Sequence, residues 1–83
     1  MLVHPEGGFM LFSIEKKQSD YAVSCVSEFA ARHNMTQKEA FRFLYKYGAI
    51  AFLKEDYDIE HTLSYDDVMD DMLAICQKNG GTL

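Results

Sequence analysis

Only two cysteines occur in 83 residues, no apolar run exceeds a few residues, and beyond Glu55 the sole basic side chain is Lys78. Each shortage excludes something. Cys25 and Cys76 have no C-x-x-C spacing and no ligand set near them, and both fall on apolar stripes of expected helices. That pattern points to buried free thiols and away from a disulfide framework or a zinc site. No segment approaches the roughly 20 apolar residues of a bilayer span, so no membrane partner is expected. The first residues carry no basic stretch, and Glu6-Gly7-Gly8 breaks any apolar region. No secretory signal is therefore expected, and a reducing cytoplasm is the expected location. No Walker loop, G-x-G-x-x-G, H-E-x-x-H or paired-cysteine metal motif is present. The expectation is a chain that is not an enzyme and takes no cofactor or metal.

The missing positive charge defines a second feature. Residues 1–54 hold seven basic and five acidic groups, a net of +2, whereas residues 55–83 hold one basic and eight acidic groups, a net of −7. The whole chain carries −5. Segregated charge speaks to partners, while an evenly mixed surface speaks mainly to solubility. The length fits one domain, near the lower limit at which a core holds together unaided. An apolar content of 48% with eleven Phe and Tyr rings supplies that core and excludes general disorder. So short a chain rarely builds a deep catalytic cleft. A binding or regulatory module, or a protomer of an oligomer, fits better.

Residues 1–13 read as an irregular N-terminal arm, and residues 14–83 as a helical interaction domain. His4-Pro5-Glu6-Gly7-Gly8 is turn chemistry, and Phe9-Met10-Leu11-Phe12 is a short apolar run suited to a strand or a docking arm. The first helix is expected from about Ile14 to His33, because Ala22, Cys25, Val26, Phe29 and Ala30 repeat at three-and-four spacing. Asn34 suits a helix stop, since Asn tolerates the left-handed conformation. Thr36-Gln37-Lys38-Glu39 reads as a capping box opening a second helix with Ala40, Phe41, Phe43, Leu44 and Tyr47 as its apolar set. Gly48 either punctuates that helix before a short piece over residues 49–54 or lies inside a longer one. Glu55 to Leu63 reads as an acidic connection anchored by Tyr57, Ile59 and Leu63. Ser64 caps the last helix, Val68, Met69, Met72, Leu73 and Cys76 form its stripe, and Asn79-Gly80-Gly81 ends it. The expected fold is all-α, a small bundle of three main helices plus one short helix.

Asp66, Asp67, Asp70 and Asp71 form the most suspicious cluster. The helix dipole favours the first pair, but Asp70 and Asp71 lie a turn deeper, where that benefit has faded. Asp66 with Asp70, and Asp67 with Asp71, are like charges at i,i+4, each unfavourable by roughly 0.2–0.5 kcal/mol. A sequence tuned only for helix stability would avoid them, so the cluster reads as a solvated face or as a docking face for a basic partner. Lys38, Arg42 and Lys46 recur every four residues and make one basic line along the second helix, an alternative nucleic-acid face. The net charge of −5 disfavours that use. His4, His33 and His61 share neither a face nor a ligand spacing, and a hydrogen-bonded structural role suits His61. Tyr45, Tyr47, Tyr57 and Tyr65, with Phe41, Phe43 and Phe52, divide between the core and one exposed patch, which makes an interface credible.

Glu39-Ala40-Phe41, Leu44-Tyr45-Lys46-Tyr47-Gly48, Phe52-Leu53, Tyr57-Asp58, His61-Thr62-Leu63-Ser64, Asp67, Asp71 and Cys76 together carry a resemblance. From about Lys17 to Asn79 the chain resembles a family of small bacterial proteins classed as a domain of unknown function (number 3791). Members of that family are often encoded beside proteins that look like ADP-ribosyltransferase toxins. The resemblance implies an antitoxin-like or accessory partner that restrains such a toxin, with Tyr45, Lys46, Tyr47, His61, Asp67 and Asp71 as carried-over candidates. Adding Tyr57, Asp66 and Asp70 from the charge and aromatic pattern completes the expected partner-binding set. The alternatives are a DNA-binding regulator using Lys38, Arg42 and Lys46, and a self-associating structural module.

Overall fold

The computed structural model describes the backbone from Pro5 to Leu83 and the side chains from Lys16 onward. Its elements are α1 (Pro5–Arg32), α2 (Gln37–Lys46), α3 (Ala49–Glu55), α4 (Tyr57–Glu60) and α5 (Tyr65–Lys78). Among the described residues there is no strand, and the fold is all-α.

Helix α1 starts well before the expected Ile14. The expected arm is thus helical backbone from Pro5 on. Residues 1–4 lie outside the described ones, as do the side chains of Phe9–Phe12 and any docking role for them. At the other end, Asn34 takes φ +55°, and the Met35 amide reaches back to the Ala30 carbonyl at 2.9 Å. Asn34 is the helix stop its residue type implied.

The capping box forms as read. Thr36 Oγ1 accepts from the Glu39 amide at 3.1 Å, and Glu39 Oε1 accepts from the Thr36 amide at 2.8 Å. Gly48 separates α2 from α3 with φ +87°, a conformation that disfavours any residue with a Cβ. Of the two readings at Gly48, the break is the one adopted. Helix α5 starts at the Ser64 cap, whose Oγ accepts from the Asp67 amide at 3.2 Å. It ends in a Schellman motif, with the Gly81 amide on the Cys76 carbonyl at 2.7 Å and the Gly80 amide on the Gln77 carbonyl at 3.1 Å. Gly81 also lets the Tyr47 ring approach, since a Cβ there would lie 2.8 Å from that ring. Asn79 Nδ2 donates to the Tyr47 carbonyl at 2.8 Å, tying the end of α5 to the α2–α3 turn.

Helix α1 packs against α2, α3 and α5, and α3 touches every other helix. Between them lie Cys25, Phe29, Leu44, Leu53, Val68, Met72 and Cys76, all essentially sealed from solvent. Both cysteines are buried and free. The stripes expected on α1 and α5 are the buried ones, apart from half-buried Leu73.

The acidic connection departs from expectation. Residues 57–60 form a single helical turn, so their side chains follow a helical and not an alternating period. Ile59 (64% exposed) and Leu63 (37% exposed) therefore face solvent and do not anchor the backbone, Tyr57 is half-buried, and Glu60 is the buried member of α4 at 5% exposure.

Candidate functional site

The expected site residues separate onto two faces. On the first, α2 carries Lys38, Arg42 and Lys46, all exposed, as its sequence spacing required. None of the three is ion-paired among the described residues. Beside them an apolar groove of about 340 Å³ runs between α1 and α2, lined by Ala22, Val23, Val26, Gln37, Lys38 and Phe41. Tyr45 stacks on Phe41 with ring centroids 5.8 Å apart, and both rings are exposed. Tyr47 turns the other way: half-buried, it packs on Phe43 at 5.0 Å, while Lys46 Nζ sits 5.3 Å from its ring centre. Two residues along a helix rotate about 200°, which is why Tyr45 and Tyr47 cannot share a patch. The seven rings do divide: Phe41 and Tyr45 are exposed together, Tyr65 is exposed on α5, and Phe43, Tyr47, Phe52 and Tyr57 are half-buried.

The second face is the corner where α4 meets α5. Tyr57 stacks on His61 at 4.5 Å and meets Tyr21 of α1 edge-on at 5.5 Å. His61 Nδ1–H donates to the Tyr57 carbonyl at 2.6 Å, so the ring closes the α4 turn. A cleft of about 450 Å³ opens there, lined by Lys17, Gln18, Tyr57, Asp58 and His61. Ile59, Leu63 and Tyr65 are exposed apolar side chains at this corner, and the Tyr65 hydroxyl hydrogen-bonds to Ser24 Oγ of α1.

The carboxylates here have unequal fates. Asp66 pairs with Arg32 at 2.7 Å, and Arg32 also holds Glu28 at 2.8 Å. With Asp66 81% exposed, that bridge stabilises little. Asp58, Asp67 and Asp70 are exposed and lack an ion pair among the described residues. Asp71 is half-buried and lies close enough to Glu60, a residue that sequence reading passed over, to act on its carboxyl. Burial, then Asp71, then Asp56 and Asp67, push the Glu60 carboxyl up to about 7. Glu60 Oε1 is buried without a hydrogen-bond partner, and so is the Tyr21 hydroxyl. Burial raises Tyr21, and the nearby Cys25 and Glu60 raise it further. Burial likewise pushes the Cys25 thiol up to about 11 and raises Cys76, so both stay protonated at neutral pH. A signal for Glu60 did exist. Leu53, Tyr57 and Glu60 lie at i, i+4 and i+7, so carrying the α3 stripe onward lands on the glutamate.

No three His, Cys, Asp or Glu side chains among the described residues are placed to hold a metal ion. No helix among them is long and apolar enough to cross a membrane. A family model described as protein of unknown function (DUF3791) matches residues 20–79, and the chain belongs to that family. No curated protein and no solved structure matches the chain.

Proposed function

With membership of that family as the starting point, we propose that this chain is a non-catalytic protein-interaction module that docks on a basic partner through its α4–α5 corner. The supporting observation is the set of exposed carboxylates Asp58, Asp67 and Asp70 beside exposed Ile59, Leu63 and Tyr65. Carboxylates left without a cation steer association with a positive surface, and apolar side chains among them supply the area that holds a complex. The partner is an ADP-ribosyltransferase-type toxin, which the chain restrains in the manner of an antitoxin. A cleft that holds the anionic cofactor NAD carries positive potential, the sign this corner complements. His61 and Tyr57 contribute by keeping the α4 turn closed, whereas Tyr45 and Lys46 lie on the α2 face and Tyr47 packs inward on Phe43.

Co-expression with the product of the neighbouring gene tests the proposal. Toxicity is expected to fall and the two chains to co-purify, and the double variant Asp67→Lys, Asp70→Lys is expected to lose the complex while keeping its helix content. Unchanged toxicity with no co-purification removes the reading. The segregation of a basic-rimmed groove from an acidic corner favours one second reading, head-to-tail self-association. Sedimentation as a monomer at tens of micromolar rules that out. A gel-retardation assay at low salt covers the remaining use of Lys38, Arg42 and Lys46, with Lys46→Glu expected to abolish any shift.

A further inference from the structure

Helix α4 has only four residues, from Tyr57 to Glu60, and no side-chain cap at its start. Its backbone holds itself through the Glu60 amide on the Asp56 carbonyl at 2.8 Å and the His61 amide on the Tyr57 carbonyl at 3.0 Å. One turn cannot persist in water without tertiary support. What its side chains bury therefore decides where α4 sits. The inward residues are half-buried Tyr57 and buried Glu60, whereas Ile59 points outward. Stability alone would place the isoleucine inside and the glutamate outside. The sequence does the reverse.

The groups around Glu60 make the inversion conditional. Helix α5 presents Asp67 and Asp71, the α3–α4 joint presents Asp56, and α1 presents the Tyr21 hydroxyl and the Cys25 thiol. On its own element, Asp58 is exposed and the His61 ring is turned onto Tyr57. Among the described residues no lysine, arginine or histidine pairs with Glu60. An ionised carboxylate in that setting has a buried oxygen with no donor and three like charges facing it. A protonated one donates to Asp71, and a single proton then serves two carboxyl groups.

We propose that Glu60 and Asp71 share one proton as a latch between α4 and α5, and that loss of this proton frees the α4 turn from the bundle. The latch is a property of the corner itself and holds whether or not a partner docks there. Burial and the facing carboxylates put its release near neutral pH, since they push the Glu60 carboxyl up to about 7. The raised value fixes the direction. The latch is complete below the ordinary carboxyl range, weakens as pH climbs toward 7, and is open above it. An open latch withdraws Tyr57 from Tyr21 and uncovers the Tyr21–Cys25 side of α1.

Carbon-detected NMR titration of the full chain, with amide hydrogen exchange at residues 59–63, tests this. The Glu60 carboxyl is expected to titrate near neutral. Protection of the His61 and Leu63 amides, corrected for intrinsic exchange, is expected to fall about tenfold or more from about pH 5.5 to about pH 8. Glu60→Gln keeps the shape and cannot ionise, so its protection is expected to stay flat across that range. Asp71→Asn removes one like charge, and it is expected to move the Glu60 midpoint down toward the ordinary range even if the glutamine variant folds poorly. A Glu60 midpoint at the ordinary carboxyl value overturns the latch. Protection independent of pH, or a midpoint unmoved by Asp71→Asn, does so equally.

Discussion

The α2 face and the α4–α5 corner handle charge in opposite ways. On α2, Lys38, Arg42 and Lys46 stay where their four-residue spacing puts them, exposed and free of ion pairs among the described residues. At the corner, Asp66 is drawn to Arg32, Glu60 is folded inward, Asp71 is occupied by Glu60, and only part of the acidic run faces outward. A count of carboxylates thus overstates the free charge of the corner, whereas a count of cations describes the α2 face well. The difference follows from architecture. A ten-residue capped helix imposes its own period, while a four-residue turn takes its side-chain directions from what surrounds it.

The sharpest way to test the contrast is to compare stability beneath each face. Leu44→Ala, under α2, should lower unfolding free energy by about 2–5 kcal/mol, with the loss nearly the same from about pH 5 to pH 8. Urea unfolding at several pH values reads this directly, and a strongly pH-dependent loss would break the contrast. Next in size is the corner's own pH response. The folded Glu60 carboxyl lies above its ordinary value, so wild-type stability should fall between pH 4.5 and 7, by an amount on the order of 1–3 kcal/mol. Glu60→Gln should flatten that slope, and a wild-type profile rising over the same interval would contradict it. Thr36→Ala removes the cap of α2 and should cost about 1 kcal/mol in thermal unfolding, with no change in the pH slope. Smallest of all, Asp70→Lys turns a like-charge i,i+4 pair with Asp66 into an opposite one and should gain about 0.2–0.5 kcal/mol. That gain should shrink in high salt.

Much of the bundle was readable because its signals are local and repeated. Ala22, Cys25, Val26, Phe29 and Ala30 declared the buried face of α1, Thr36 with Glu39 declared the start of α2, and Asn34 and Gly48 declared two breaks. Residues 55–63 were not readable in the same way. Their acidic character suggested a solvated connection, and the helical turn at Tyr57–Glu60 became recognisable only once α1 and α5 supplied walls for it. The candidate site divided along the same line. Cations at regular spacing kept their places, while the aspartates were redistributed by contacts distant in sequence, Arg32 to Asp66 and Glu60 to Asp71. The tyrosines were scattered by helical rotation and by the packing of Tyr47 on Gly81, neither of which composition reveals.

Helix α3 carries a consequence for how the molecule comes apart. Seven residues are too few to stay helical alone, yet this segment touches each of the other four helices. Apart from the single turn of α4, no helix can leave without exposing part of α3, and α3 has no stability to lend once one of those walls is gone. Unfolding of the packed region should therefore be all-or-none, with calorimetric and van't Hoff enthalpies in agreement. The amides of Leu53 and Phe52 should exchange only through that global event, making a seven-residue helix the slowest reporter of the whole.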